Sequence, residues 1–144
     1  MEMPYTYKGA PAGKKILVIE DNEDLRDMLT DVLITYDFQV CTLEYTDDLE
    51  QLALELQPDL VLMDYMLPGI NGGDLCGQLK RGEKTSHIPV VLLSAYDKVI
   101  VSLGTYSSDA FVSKPFEMTN LIATVQSCLK AVENRVPELE SVQH

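Results

Sequence analysis

Residues 58–75, PDLVLMDYMLPGINGGDL, decide the fold. Residues 59–63 form a short apolar run opened by Pro58, which predicts a buried strand. The strand ends in a single carboxylate, Asp64. Leu67-Pro68-Gly69 and Asn71-Gly72-Gly73 follow, a loop built of turn residues, and Asp74 and Leu75 open a helix. A carboxylate at the carboxyl end of a buried strand, ahead of a loop and a helix, stands where α/β sheets bind ligands.

Outward from this stretch the same unit recurs. Residues 15–20, KILVIE, predict a first buried strand closed by Glu20, Asp21 and Asn22. Asn22 suits a helix N-cap, with Glu23 and Asp24 in the first turn. Leu25, Met28, Leu29, Val32, Leu33 and Tyr36 then fall at helical spacing and predict an amphipathic helix. Residues 38–43 predict the second strand. Thr46 is the expected cap of a helix carrying Leu49, Leu52, Ala53 and Leu56 inward, which Pro58 ends. After the central strand come a helix near 71–81, a polar loop over 82–87 and a fourth strand over 88–93 that stops at Ser94. Helix and strand compete over 97–104, where Val99, Ile100 and Val101 are β-branched. Residues 109–113, DAFVS, predict a fifth strand ending at Lys114-Pro115. Met118, Leu121, Ile122, Val125, Cys128, Leu129 and Val132 trace a last helix, and Pro137 is expected to stop it.

Strands and helices therefore alternate. The strand runs are short and apolar throughout, as in strands buried on both faces. The fold class is α/β: a flavodoxin-like, doubly wound, five-stranded parallel sheet of order 2-1-3-4-5 with helices on both faces. The expected organisation is a flexible segment over 1–13, one domain over 14–133 and a tail over 134–144.

Composition bounds the rest. The 144 residues are 46% hydrophobic, enough for one domain with a real core. Lys+Arg 11 against Asp+Glu 23 gives −12, which argues against direct contact with nucleic acid or an anionic membrane surface. No signal-peptide core or membrane-length window is present. Cys41, Cys76 and Cys128 are widely spaced and odd in number, which fits small core residues of a reducing, cytoplasmic compartment.

Polar residues gather where the adjacent strands finish: Glu20-Asp21, Asp64, Ser94 and Lys114. Asp21 and Asp64 offer hard oxygen ligands of the kind Mg²⁺ takes alongside waters and phosphate oxygens. Asp64 can also attack phosphorus, and it needs no general base because a carboxylate is ionised near neutral pH. The metal, Lys114 and the Ser94 hydroxyl would then balance phosphoryl oxygens.

The ordered set ILVIEDNEDLR, PDLVLMDYMLPGINGGDL, IPVVLLSAY and FVSKPF, spread over roughly 14–132, resembles a receiver domain of a two-component response regulator, of the chemotaxis-regulator kind. The resemblance implies that Asp64 accepts phosphate from a histidine kinase or a histidine phosphotransfer protein. It implies that Glu20, Asp21, Asp64 and the Met66 backbone carbonyl hold Mg²⁺. Ser94 and Lys114 would bind the phosphoryl group, and the Lys114–Pro115 bond would be cis. Phe111, three before Lys114, matches the aromatic switch position but lacks the commoner tyrosine hydroxyl. Met66 and Tyr96, two beyond Asp64 and Ser94, flank the path of an attacking water, and their size implies slow self-dephosphorylation.

Departures from the family pattern are confined. Ser94 to Lys114 is shorter than usual, so the helix after Ser94 is expected to be trimmed. Ser107-Ser108-Asp109 replaces the customary Gly-Ala-Asp, and Glu20 replaces the commoner Asp. The implied output is an effector protein bound through the helix after Ser94, the fifth strand and the last helix, by a monomer or weak dimer with no direct nucleic-acid or membrane contact. The resemblance makes the chain a phosphoacceptor signalling domain rather than an enzyme, either standing alone or cut from a hybrid histidine kinase or larger regulator. An aspartate-nucleophile phosphohydrolase is the enzyme alternative, but the second Asp it wants two residues on is here Met66. A phosphate-independent binding module is disfavoured by the complete set of site residues. A flavin site is disfavoured because no hydroxyl- and glycine-rich loop follows the first strand.

Overall fold

The computed structural model describes residues 5–67, 69–95 and 108–142. The elements are β1 (Lys8–Gly9), β2 (Lys15–Ile19), α1 (Glu23–Thr35), β3 (Gln39–Leu43), α2 (Leu49–Leu56), β4 (Leu60–Asp64), β5 (Met66–Leu67), β6 (Ile70–Asn71), α3 (Gly72–Arg81), β7 (Val90–Ser94), β8 (Ala110–Ser113) and α4 (Met118–Val142). The helix or strand expected over 97–104, its proposed trimming and Tyr96 lie outside the described residues.

The main sheet has the order β1-β3-β2-β4-β7-β8. Its five long strands are parallel and reproduce the expected 2-1-3-4-5 order. Alternate residues of each central strand enter opposite cores. Leu17, Ile19, Val61, Met63, Val90 and Leu92 meet α2 and α3 through Leu49, Ala53, Leu56, Leu75, Cys76 and Leu79. Ile16, Val18, Leu60, Leu62, Val91 and Leu93 meet α1 and α4 through Leu29, Leu33, Leu121, Ile122, Val125 and Leu129. Each such side chain, fully buried, contributes about 1.5–3 kcal/mol, so the continuous apolar runs are what sandwich the sheet. Cys41 and Cys76 are buried and Cys128 half-buried, all three free, and burial pushes the first two thiols up to about 11.

Several local expectations are corrected. Residues 5–13 are not a loose lead-in: β1 pairs antiparallel with β3, and the Tyr7 hydroxyl donates to the Leu56 carbonyl at 3.0 Å. The second long helix is capped by Asp48, whose carboxylate accepts from Gln51 N at 3.1 Å. Thr46 sits two residues earlier and accepts from Asp48 N instead. Met28 and Tyr36 are 46% and 45% exposed, so α1 buries a narrower stripe than its periodicity suggests. The loop after Asp64 holds a minimal hairpin in which Met66 pairs Asn71 and Leu67 pairs Ile70. Pro137 does not stop the last helix, which runs to Val142. The proline removes one ladder donor, but Glu133 and Asn134 are exposed, so water can satisfy the carbonyl left free. No helix among the described residues is long and apolar enough to cross a membrane.

The start of α3 is pressed against the end of β4. Asn71 caps it by accepting from Asp74 N at 2.7 Å. A Cβ on Gly72 would lie 2.5 Å from the Asp64 carbonyl oxygen and 3.0 Å from Tyr65 Cα, both backbone atoms that cannot swing away. At Gly77, inside the same helix, an added Cβ would meet only the Arg81 guanidinium, the free end of a flexible side chain. Gly72→Ala is therefore expected to destabilise by about 1–3 kcal/mol, and Gly77→Ala to stabilise by about 0.5–1 kcal/mol. Urea denaturation of both variants checks the pair, and a stable Gly72→Ala would remove the close-approach argument.

Candidate functional site

The site lies at the carboxyl rim of the sheet. In the β2–β4 ladder Ile19 stands beside Met63, so one further step brings Glu20 level with Asp64. Asp64 stands beside Leu93 on β7, and Ser94 beside Ser113 on β8, next to Lys114. The Lys114 ammonium donates to Asp64 Oδ2 at 2.9 Å and to Glu20 Oε1 at 3.0 Å. The Lys114 amide donates to the Ser94 carbonyl at 2.7 Å, and the Lys114–Pro115 bond is cis. Met66 N donates to Asp64 Oδ1 at 3.0 Å, and Asn22 N to Glu20 Oε2 at 3.2 Å.

Burial differs sharply among these groups. Glu20 is 1% exposed, Asp64 7% and Ser94 0%, whereas Asp21 is exposed. Glu20, Asp21 and Asp64 each bring a carboxylate oxygen within 4.8 Å of the others. Three hard oxygen donors at such spacing fit a small divalent cation that keeps some of its waters. Desolvation, assisted by the charge of Asp64, pushes the Glu20 carboxyl up to about 7 despite its bond to Lys114. Burial alone would lower the Lys114 ammonium, but its hydrogen bonds to Asp64 and Glu20 prevail and raise it.

The structure thus brings Glu20, Asp21, Asp64 and Lys114 into one cluster, with buried Ser94 on the adjoining strand end. Phe111 lies beside Leu92 and packs, half-buried, against the core on the α2 and α3 side. Met66 is 49% exposed at the rim. One participant escaped the sequence reading: Arg26 Nη1 donates to the Glu20 carbonyl at 2.8 Å, tying α1 to the end of β2. Its placement one turn after the Asn22 cap was the available signal.

Residues 16–126 match the response regulator receiver domain, and the chain belongs to that family of two-component signalling domains. The DNA-binding response regulator MtrA of Mycolicibacterium smegmatis is 39% identical over 131 residues, covering 90% of this chain and 56% of that protein. The receiver domain of a signal transduction histidine kinase from Syntrophus aciditrophicus has 27% identity and a TM-score of 0.72, covering 83% of this chain and 92% of its own. Response regulator TrrA from Thermotoga maritima, solved in complex with Mg²⁺ and BeF, has 28% identity and a TM-score of 0.67, covering 80% and 98%.

This chain spans a little over half the length of MtrA. That similarity overturns the expectation, drawn from charge, of a protein with no direct nucleic-acid contact. MtrA is DNA-binding, and the net charge of −12 describes the 144 residues counted, whereas the matched region is 56% of MtrA.

Glu20 carries a pH signature. Its raised value means that, without metal, its contribution to stability is full below its ordinary 4.5 and is lost as pH rises through about 7. A divalent cation held by this cluster would need the Glu20 carboxylate, so Mg²⁺ affinity is expected to fall between pH 8 and pH 6 by up to about tenfold per pH unit below 7. Calorimetric titration should show that fall, much flattened in Glu20→Gln; an equally steep fall in the variant would assign the proton elsewhere.

Proposed function

We propose that Asp64 accepts a phosphoryl group from a phosphohistidine on a histidine kinase or phosphotransfer protein. An Asp64 carboxylate oxygen forms the new O–P bond, the N–P bond breaks, and the imidazole leaves with its electron pair and takes up a proton. The observation that carries this reading is the Lys114 ammonium held 2.9 Å from Asp64, with Glu20 and Asp21 beside it. Mg²⁺ would be held by Glu20, Asp21, Asp64 and the Met66 carbonyl, and when bound it neutralises charge on the phosphoryl oxygens. Lys114 orients and balances a second phosphoryl oxygen, and the Ser94 hydroxyl a third. The TrrA complex with Mg²⁺ and BeF supports this assignment by similarity.

The reaction changes this chain itself rather than a turned-over substrate, so the domain phosphorylates and dephosphorylates only itself. Its output is a switch: Ser94 and Phe111 respond to the modified Asp64. Similarity to MtrA supports a nucleic-acid-binding effector as the recipient, in the same polypeptide or a separate one.

A small phosphodonor with Mg²⁺ should label the protein once, and Asp64→Asn or chelation should abolish labelling. Persistent labelling of Asp64→Asn would displace the acceptor. Met66, exposed at the rim, and Tyr96 are proposed to obstruct the attacking water. Met66→Asn with Tyr96→Glu should therefore shorten the phosphoryl lifetime several-fold, and an unchanged or slower decay would remove that role.

A further inference from the structure

The strand that delivers Lys114 is the least secured of the parallel set. All residues of β4 and β7 are buried, whereas in β8 only Val112 is. A strand's register is fixed by the pattern it buries, and a slip of one residue turns every side chain to the opposite face. On β8 such a slip would exchange the faces of Phe111 and Val112 and carry Lys114 about 3.3 Å along the strand.

A separate device holds the amino end of β8. Asp109 N donates to the Val90 carbonyl at 2.9 Å, and Asp109 Oδ2 accepts from Val90 N at 2.8 Å. Asp59 does the same ahead of β4: its N–H donates to the Lys15 carbonyl at 2.8 Å, and its Oδ2 accepts from Lys15 N at 2.7 Å. The clamp therefore occurs twice, each time at the residue before a strand that ends in a site residue, as β4 does in Asp64, or just ahead of one, as β8 does before Lys114. At β8 it carries an addition. Lys80, in the last turn of α3, donates to Asp109 Oδ2 at 2.7 Å and to the Ile88 carbonyl at 2.7 Å. The ammonium thus joins the helix end, the approach to β7 and the start of β8.

We infer that Lys80 and Asp109 are positioning residues that lock the register of β8 and thereby hold the Lys114 ammonium on Asp64. This rests on the phosphoacceptor reading of Asp64 for its consequence, though not for the lock itself. The Mg²⁺ ligands Glu20, Asp21 and Asp64 lie on or just after β2 and β4, so the lock acts on one half of the site only.

The test compares Lys80→Met, Lys80→Arg and Asp109→Ala with wild type in the full chain. Three readouts are used: labelling rate with a small phosphodonor, Mg²⁺ affinity by calorimetry, and exchange of the Lys114 amide hydrogen. Lys80→Met and Asp109→Ala should slow labelling about tenfold, because a reacting group displaced by an ångström or so loses rate steeply. Mg²⁺ affinity should stay within about twofold, the amide should exchange about tenfold faster, and Lys80→Arg should restore most of the rate. Wild-type labelling rates in both variants, or Mg²⁺ affinity falling in step with rate, would overturn the inference. Should Asp109→Ala fail to fold, Lys80→Met decides alone. Absence of labelling in wild type would defeat the phosphoacceptor reading instead, and exchange at Lys114 would still decide the lock.

Discussion

One ammonium between two buried carboxylates organises this molecule. Glu20 and Asp64 have been taken almost wholly out of water, which costs several kcal/mol per ion unless a partner compensates. Lys114 supplies that partner to both at once. The compensation is incomplete: Glu20, Asp21 and Asp64 bring three potential negative charges, and among the described residues Lys114 is the one cation paired with their carboxylates. The fold can relieve the excess by keeping a proton on Glu20, whose value near 7 reflects that pressure, or by admitting a cation. A site proposed to take a metal and then an anion would need this imbalance. Glu20, Asp21 and Asp64 would admit a cation because charge is in excess, and an anionic phosphoryl group would then not meet bare carboxylates.

The imbalance can be sustained because the strands bearing it are anchored elsewhere. β2 and β4 are buried on both faces, and their ladder carries Glu20 and Asp64 to the same level. Gly72 lets the backbone of α3 close over the end of β4, and Arg26 fastens the Glu20 carbonyl to α1. The electrostatic cost at the rim is thus borne by apolar burial below it.

How much of this could be read from the chain follows from what each feature depends on. The sheet, its order and its two helical layers were legible because continuous Val, Ile and Leu runs separated by helical periodicity admit few arrangements. Glu20, Asp21, Asp64 and Lys114 were legible because each stands at or just after the end of such a run. Features set by single tertiary contacts were not. β1 pairs with β3, Tyr7 reaches the Leu56 carbonyl and Gln39 the Pro11 and Gly13 carbonyls, contacts that nothing local to residues 5–13 announces. Asp59 and Asp109 read as ordinary strand openings, since only pairing with Lys15 and Val90 gives their carboxylates a task. The Asp48 cap was lost to Thr46 because both are good capping residues two positions apart. The charge argument failed for another reason: a net charge of −12 says nothing of the effector that a receiver domain controls, and MtrA, 39% identical, is DNA-binding.

The two halves of the site differ in stiffness, and that difference has a consequence. The carboxylates Glu20, Asp21 and Asp64 ride on or beside strands packed from both faces, whereas Lys114 and Phe111 ride with β8, which closes the sheet edge with little burial of its own. A new charge at Asp64 would press equally on both halves, but the softer one would yield first. Lys114 would follow the added oxygens, and β8 could move only as far as its anchorage at Asp109 and at the Lys114 amide allows. Tight anchorage of the edge strand would sharpen the resting geometry of the proposed phosphoacceptor site, while looser anchorage would enlarge its response. The strength of that edge pairing therefore sets a compromise between reactivity and amplitude, one that the buried strands at the centre of the sheet are too rigid to negotiate.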